Sequence, residues 1–235
     1  MVNEAMMRDW VFEIVCAGAP DRMTDAVAWA NRAAAAWTEL PELAALDLYT
    51  PIDEGAHDPF VNDGAGPLFI AMLAFPSPEA LAAALASPAF SLSLGGRARD
   101  LSWTGSAFER QFYPVAGETQ SAPLAAPFSY VVRYHKPAAD EAAFIKNYVD
   151  THPPTLGTLP GIRAVMCYFP LPLRSDAIAP ADYMIGNEVA FDGVEAFNAA
   201  MQSPVRQELR RHYREFPPFT GLNTHFPMNR TRLVG

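Results

Sequence analysis

Leu40-Pro41-Glu42-Leu43-Ala44-Ala45-Leu46-Asp47-Leu48-Tyr49-Thr50-Pro51 is echoed later by Leu159-Pro160-Gly161-Ile162-Arg163-Ala164-Val165-Met166-Cys167-Tyr168-Phe169-Pro170, an offset of 159 − 40 = 119. A second pair follows in the same order. Phe75-Pro76-Ser77-Pro78-Glu79-Ala80-Leu81 is matched by Phe191-Asp192-Gly193-Val194-Glu195-Ala196-Phe197, an offset of 191 − 75 = 116. Two ordered matches at nearly one offset mark an internal repeat, and the sequence reads as a tandem duplication.

Outward from these anchors, both halves show one order of elements. In the first, Trp10 to Cys16 is rich in strand formers, and Thr24 to Trp37 is an Ala-rich helix that Thr24 would cap. Leu43 to Tyr49 and Leu68 to Phe75 read as strands around a long loop, Pro51 to Pro67, and Ser77 opens a helix with Pro78 at its first position. Ser87-Pro88 starts a further short turn, and Phe108 to Val115 closes the half as its fourth strand. The second half repeats this with a strand at Phe128 to His135, a helix capped by Asp140, and strands at Ile162 to Phe169 and Tyr183 to Phe191. Asp192 and Glu195 make a capping box, Ser203-Pro204 opens another helical piece, and a last strand lies near Leu222 to Phe226.

The order β-α-β-β-α-β is the ferredoxin-like split βαβ unit. Its two helices cover one face of the sheet and leave the other bare. Two copies in one chain hide both bare faces by packing sheet on sheet. The expected fold is therefore α+β: two tandem ferredoxin-like repeats whose antiparallel sheets form an intramolecular barrel, with helices outside and a cavity between the sheets. The boundaries read as 1–118 for the first repeat, 119–127 for an Ala/Pro/Ser-rich linker and 128–235 for the second.

Composition narrows the function classes. The chain has 235 residues, half of them hydrophobic and 18% charged, which suits a folded globular protein. Its 17 Lys+Arg against 26 Asp+Glu give −9, a balance that repels phosphate backbones and anionic lipid, so neither nucleic acid nor membrane is an expected partner. No signal peptide or spanning segment is evident, and a cytoplasmic protein is expected, a monomeric pseudo-dimer with further homodimerisation left open. Cys16 and Cys167 lie in strand-like runs and read as buried free thiols. No glycine-rich phosphate loop follows a strand, no Gly-x-Ser-x-Gly elbow occurs, and no close His spacing suggests a metal site.

Chemistry concentrates in the second half. Phe144, Tyr148 and His152 are spaced by four and share a helix face, and Pro153-Pro154 is expected to end the helix at about His152. Beside free terminal carbonyls, the charged form of that imidazole would be favoured. Glu188 sits in the middle of a strand, where a carboxylate needs a buried partner or a cavity. It pairs with Arg133 or Arg163, or else it orients His152 or takes a substrate proton. Arg133 and His135 share a face that lines the barrel if Tyr130, Val132 and Tyr134 pack on the helices, though His135 alone reads as solvated. His225 either points into the cavity or lies at its rim. Tyr49 and Tyr168 recur in both halves, which suggests packing.

Four local features of the second half resemble the EthD-like family of dimeric α+β barrel proteins. These are Lys136-Pro137 before the cap Asp140, the Phe144, Tyr148, His152 spacing, Leu159-Pro160-Gly161, and Tyr183 to Ser203 with Glu188 before Phe191 and Ala199-Ala200 before Ser203-Pro204. Family members are usually single-repeat homodimers, and this chain departs by fusing two; it also has Tyr148 where a Trp is usual. The resemblance implies a cofactor-independent small-molecule enzyme acting on an apolar, aromatic or lactone-like substrate by proton transfer, as isomerase, dehydratase or monooxygenase. His152 and Glu188 would be its catalytic pair, and Arg133, His135, Tyr148, Tyr168 and His225 its substrate-binding residues. The opposite class is a non-catalytic ligand-binding or accessory protein, favoured by a filled barrel with His152 and Glu188 far apart. A haem-using barrel enzyme is a third expectation, testable by absorbance. In the first half, His152 falls opposite Ala33 or Ala34 and Glu188 opposite Met72, so one pocket of two is expected to be equipped.

Overall fold

The computed structural model describes residues 7–52, 55–61, 63–115 and 126–235. The linker expected at 119–127 lies outside them except for Ala126 and Pro127. The first half contains β1 (Arg8–Ala17), α1 (Met23–Trp37), β2 (Ala45–Pro51), β3 (Phe69–Phe75), α2 (Pro78–Ala86), α3 (Pro88–Ser93) and β4 (Ser102–Tyr113). The second contains β5 (Phe128–His135), α4 (Glu141–Leu156), β6 (Ala164–Pro170), β7 (Tyr183–Phe191), α5 (Val194–Met201), α6 (Pro204–Glu215) and β8 (Asn223–Val234). In both halves a Ser-Pro pair splits the second helix, because proline supplies no N–H to continue the ladder.

The eight strands of the described residues close one antiparallel barrel in the order β1-β3-β2-β8-β5-β7-β6-β4. Each half supplies four neighbours in the ferredoxin-like order, and the halves join along β2–β8 and β4–β6. The expected fold class is the observed one. Helices α1–α3 pack on the outer face of the first sheet through Trp29, Trp37, Phe69 and Leu81, and α4–α6 on the second through Phe144, Tyr148, Phe197 and Leu209.

Several local expectations are corrected. Helix α4 runs through Pro153-Pro154 to Leu156. Phe144, Tyr148, His152 and Leu156, spaced by four, are all buried, and this packing outweighs two missing backbone bonds near the helix end. The Gly157 N–H closes that end on the Pro153 carbonyl at 3.0 Å. Asp140 caps α4 as expected, accepting from the Ala143 N–H at 2.9 Å. The Asp192/Glu195 box does not form: Gly193 is the cap residue, and Asp192 is held by Arg163 instead. Thr24 lies inside α1, which a turn at Pro20–Arg22 introduces. β4 begins at Ser102 because its early polar residues pair with β1, and β8 extends to Val234 because it bridges both sheets. The inside-outside alternation of β7 breaks at a bulge opposite Tyr134/His135, which turns Tyr183 into the barrel and Met184 toward the helices.

The expected space between the sheets is filled. Phe108, Phe112, Met166, Tyr168 and Met228 pack there around buried polar groups. Arg133 donates from Nε to Glu13 at 3.1 Å and lies over the Tyr168 ring at 4.3 Å. It crosses Gly186, where a side chain would collide with its guanidinium at 2.7 Å. Glu188 accepts from Tyr49 at 3.2 Å and also from Ser129 and Tyr168. Glu13, Tyr49 and Asp47 come from the first half, and their partners Arg133, Glu188 and Arg232 from the second.

Candidate functional site

A cavity of about 270 Å³ lies outside the barrel, between the helix-facing side of the second sheet and α4 and α6. Its sheet wall is Tyr130, Val132 and Tyr134 of β5, Asn187 and Val189 of β7, and Asn223 and His225 of β8. Its helix wall is His152 and Leu156 of α4, Met201 of α5, and Arg206, Leu209, Arg210 and Tyr213 of α6. The first half covers the opening with Asp58, Phe60, Val61 and Asp63 from the long loop between β2 and β3. A hollow lined in about equal measure by apolar and convergent polar side chains has the form of a small-ligand site.

His152 is buried, with its ring 4.9 Å from Tyr148, 5.4 Å from Phe216 and 6.3 Å from His212. Burial pushes its pKa from the ordinary 6.5 down to about 3, with the charges of His212, Arg206 and His225 adding to the effect. The expectation of a charged helix-end imidazole is thus overturned: enclosure outweighs the terminal carbonyls. Nδ1 is enclosed without a hydrogen-bond partner among the described residues, which leaves Nε2 as the nitrogen available to a ligand in the cavity. Tyr148 stands behind His152, fully buried and joined through its hydroxyl to Asn187, and the other end of the Asn187 amide is unpartnered.

Glu188 is on the opposite side of β7, inside the barrel, and pairs with neither Arg133 nor Arg163. Asn187 and Glu188 are consecutive, and in a strand neighbouring side chains point to opposite faces. The expected His152–Glu188 pair does not share a cavity, so Glu188 does not orient the imidazole. Arg133 and Tyr168 are likewise barrel residues, engaged by Glu13 and Glu188. Tyr130, Val132 and Tyr134 do pack toward the helices, which is why Arg133 turns inward. His135 stands at the strand end, half-buried against Tyr183, and is not among the cavity walls. His225 reaches the cavity from the helix side, stacked on Tyr130 at 5.8 Å with Nδ1 2.8 Å from Asp63.

Sequence reasoning missed the loop residues and the basic stripe of α6. Tyr130 donates to Asp58 at 3.0 Å, Arg206 grips the same carboxylate at 2.8 and 2.9 Å, and Phe60 lies under Arg206 at 4.9 Å. Two signals pointed there: the length of Pro51 to Pro67, unusual without structure of its own, and the four-residue spacing of Arg206 and Arg210. In the first half Trp29, Trp37, Trp103 and Phe69 interlock at 4.7 to 6.2 Å where α1 meets its sheet, and the hollow beside α1 is lined by Trp29, Arg32, Leu101 and Trp103 without a histidine. Ala33 and Ala34 of α1, opposite His152 in the alignment, are buried in that cluster.

No family model matches the chain, and no curated protein matches its sequence. Solved structures do match its fold. An anthrone oxidase-like protein superposes with a TM-score of 0.63 at 13% identity, covering 97% of this chain and 94% of its own. A candidate monooxygenase from Lactobacillus acidophilus NCFM gives 0.51 at 10% identity, covering 97% and 96%. An EthD family protein from Bacillus halodurans matches 42% of this chain and 96% of its own, at 19% identity and a TM-score of 0.33. The fold is that of the dimeric α+β barrel proteins, here closed within one chain.

Proposed function

We propose that the cavity under α4 and α6 is the substrate site of a cofactor-independent small-molecule enzyme that acts on an apolar or aromatic compound, with His152 transferring a proton. The observation that carries this reading is a neutral, enclosed imidazole on the wall of a hollow lined by both apolar and polar side chains. The whole-chain likeness to an anthrone oxidase-like protein and a candidate monooxygenase supports the substrate class. Taking a proton at Nε2 requires the neutral tautomer with its hydrogen on Nδ1. No carboxylate among the described residues stabilises the imidazolium that forms, so the negative charge developing on the substrate must do so. The proton therefore moves only when the substrate is seated, and the Tyr213 hydroxyl on the cavity wall is the group that can donate toward that charge.

Anthrone, whose ring CH₂ is acidified by the adjacent carbonyl and aromatic rings, is the test substrate. Deuterium exchange at that carbon should be accelerated by the protein and fall about 100-fold or more in His152→Ala, the usual scale for a general base. Unchanged exchange in the variant would remove His152 from the chemistry. The alternative, a ligand-binding protein without turnover, is favoured by one observation, the separation of Glu188 from His152 by the thickness of the sheet. It predicts anthrone binding with no exchange above the buffer rate.

A further inference from the structure

Two arginines and a histidine surround the outer part of the cavity, and two of the three have acidic partners. Arg206 is matched by Asp58, and His225 by Asp63. Arg210 lines the same cavity, yet no carboxylate among the described residues lies within ion-pair distance of it. Its guanidinium is held flat by aromatic faces, 5.5 Å from the Phe60 centroid and 5.0 Å from Tyr213, and its Nε is buried without a partner. A guanidinium fixed by its faces has its in-plane N–H edge left to donate, and that fork matches two oxygens of one carboxylate.

We propose that Arg210 is the specificity residue of this cavity, binding the carboxylate of an aromatic or alicyclic acid whose ring fills the apolar space toward Val132, Leu156 and Val189. This rests on the proposed substrate site and narrows its ligand from an apolar compound to an amphipathic organic anion. Phe60 comes from the first half and Tyr213 from the second, so the fork is set only when the loop between β2 and β3 is in place. That gives the first half a part in recognising a ligand held under the helices of the second. Desolvated inside the cavity, a charge-assisted fork should favour an acid over its neutral amide by tenfold to a hundredfold.

The test is calorimetric titration of the full chain with 2-naphthoate and with its neutral isostere 2-naphthamide, in wild type, Arg210→Gln and Arg210→Lys. The expected result is naphthoate at least tenfold tighter than naphthamide in wild type, that preference gone in Arg210→Gln with naphthamide affinity retained, and a partial preference in Arg210→Lys. Equal affinities in wild type, or a preference surviving in Arg210→Gln, would overturn the subsite while leaving the cavity as the binding site. Failure of both probes to bind would overturn the site itself and the subsite with it. Should Arg210→Gln not fold by circular dichroism, an undiminished preference in Arg210→Lys would overturn the fork.

Discussion

Replacing His152 by Leu should make the protein less sensitive to acid, and the size of the change follows from the burial of the ring. In the folded protein the imidazole titrates at about 3, and its ordinary value is 6.5. Below 6.5 the unfolded chain therefore takes up a proton that the folded chain refuses, and falling pH favours unfolding until about pH 3. Between pH 7 and pH 5 the unfolded state gains about 1.4 pH units of protonation free energy. At 1.36 kcal/mol per unit, that is a loss of about 2 kcal/mol from this one residue. His225 and His135 are also lowered by burial, but they contribute to both proteins and cancel in the difference. Urea denaturation of wild type and His152→Leu at pH 7 and pH 5 supplies the comparison. Wild type should lose about 2 kcal/mol more than the variant over that interval. An equal loss in both, or a larger one in the variant, would mean that His152 is solvated or charged when folded, and the account of the cavity wall would fail.

Three further outcomes follow from the same packing. Glu13→Ala should cost about 3–5 kcal/mol in urea denaturation, because it strands Arg133 as an uncompensated charge inside the barrel. Asp58→Ala removes the acceptor shared by Arg206 and Tyr130, so limited proteolysis should cut faster between β2 and β3 while the melting temperature changes less than in Glu13→Ala. A fragment of residues 1–118 should not fold as a stable monomer, since it exposes the β2 and β4 edges and leaves Glu13, Asp47 and Tyr49 without their partners. A sharp cooperative transition in that fragment would contradict the interlocked barrel.

The fold was legible because its signals are local and repeated. Leu40 to Pro51 and Leu159 to Pro170 fix the second strand of each half, the Ser-Pro pairs fix the split helices, and Asp140 fixes the start of α4. The place of His152 on the inner face of α4 was legible for the same reason, as a member of the series Phe144, Tyr148, His152 spaced by four. Its charge state was not, because that depends first on burial in the folded chain and then on His212, Arg206 and His225, distant in sequence. Glu188 was legible as a buried carboxylate in need of partners, but the partners, Tyr49, Ser129 and Tyr168, come from three other strands. The alternation that puts Asn187 and Glu188 on different faces was itself in the sequence. What it lacked was which face holds the cavity. The residues Asp58, Phe60 and Asp63 were invisible because a loop's destination is set by tertiary contacts, here the clasp on Arg206 and His225.

The central claim is that ligands bind outside the barrel, against His152, and not between the sheets. A crystal structure of the protein with 2-naphthoate tests it directly. The account places the ring between β5, β7, α4 and α6, in contact with His152 and with its carboxylate on Arg210. Density for the ligand inside the barrel, beside Glu188 and Tyr168, would contradict it.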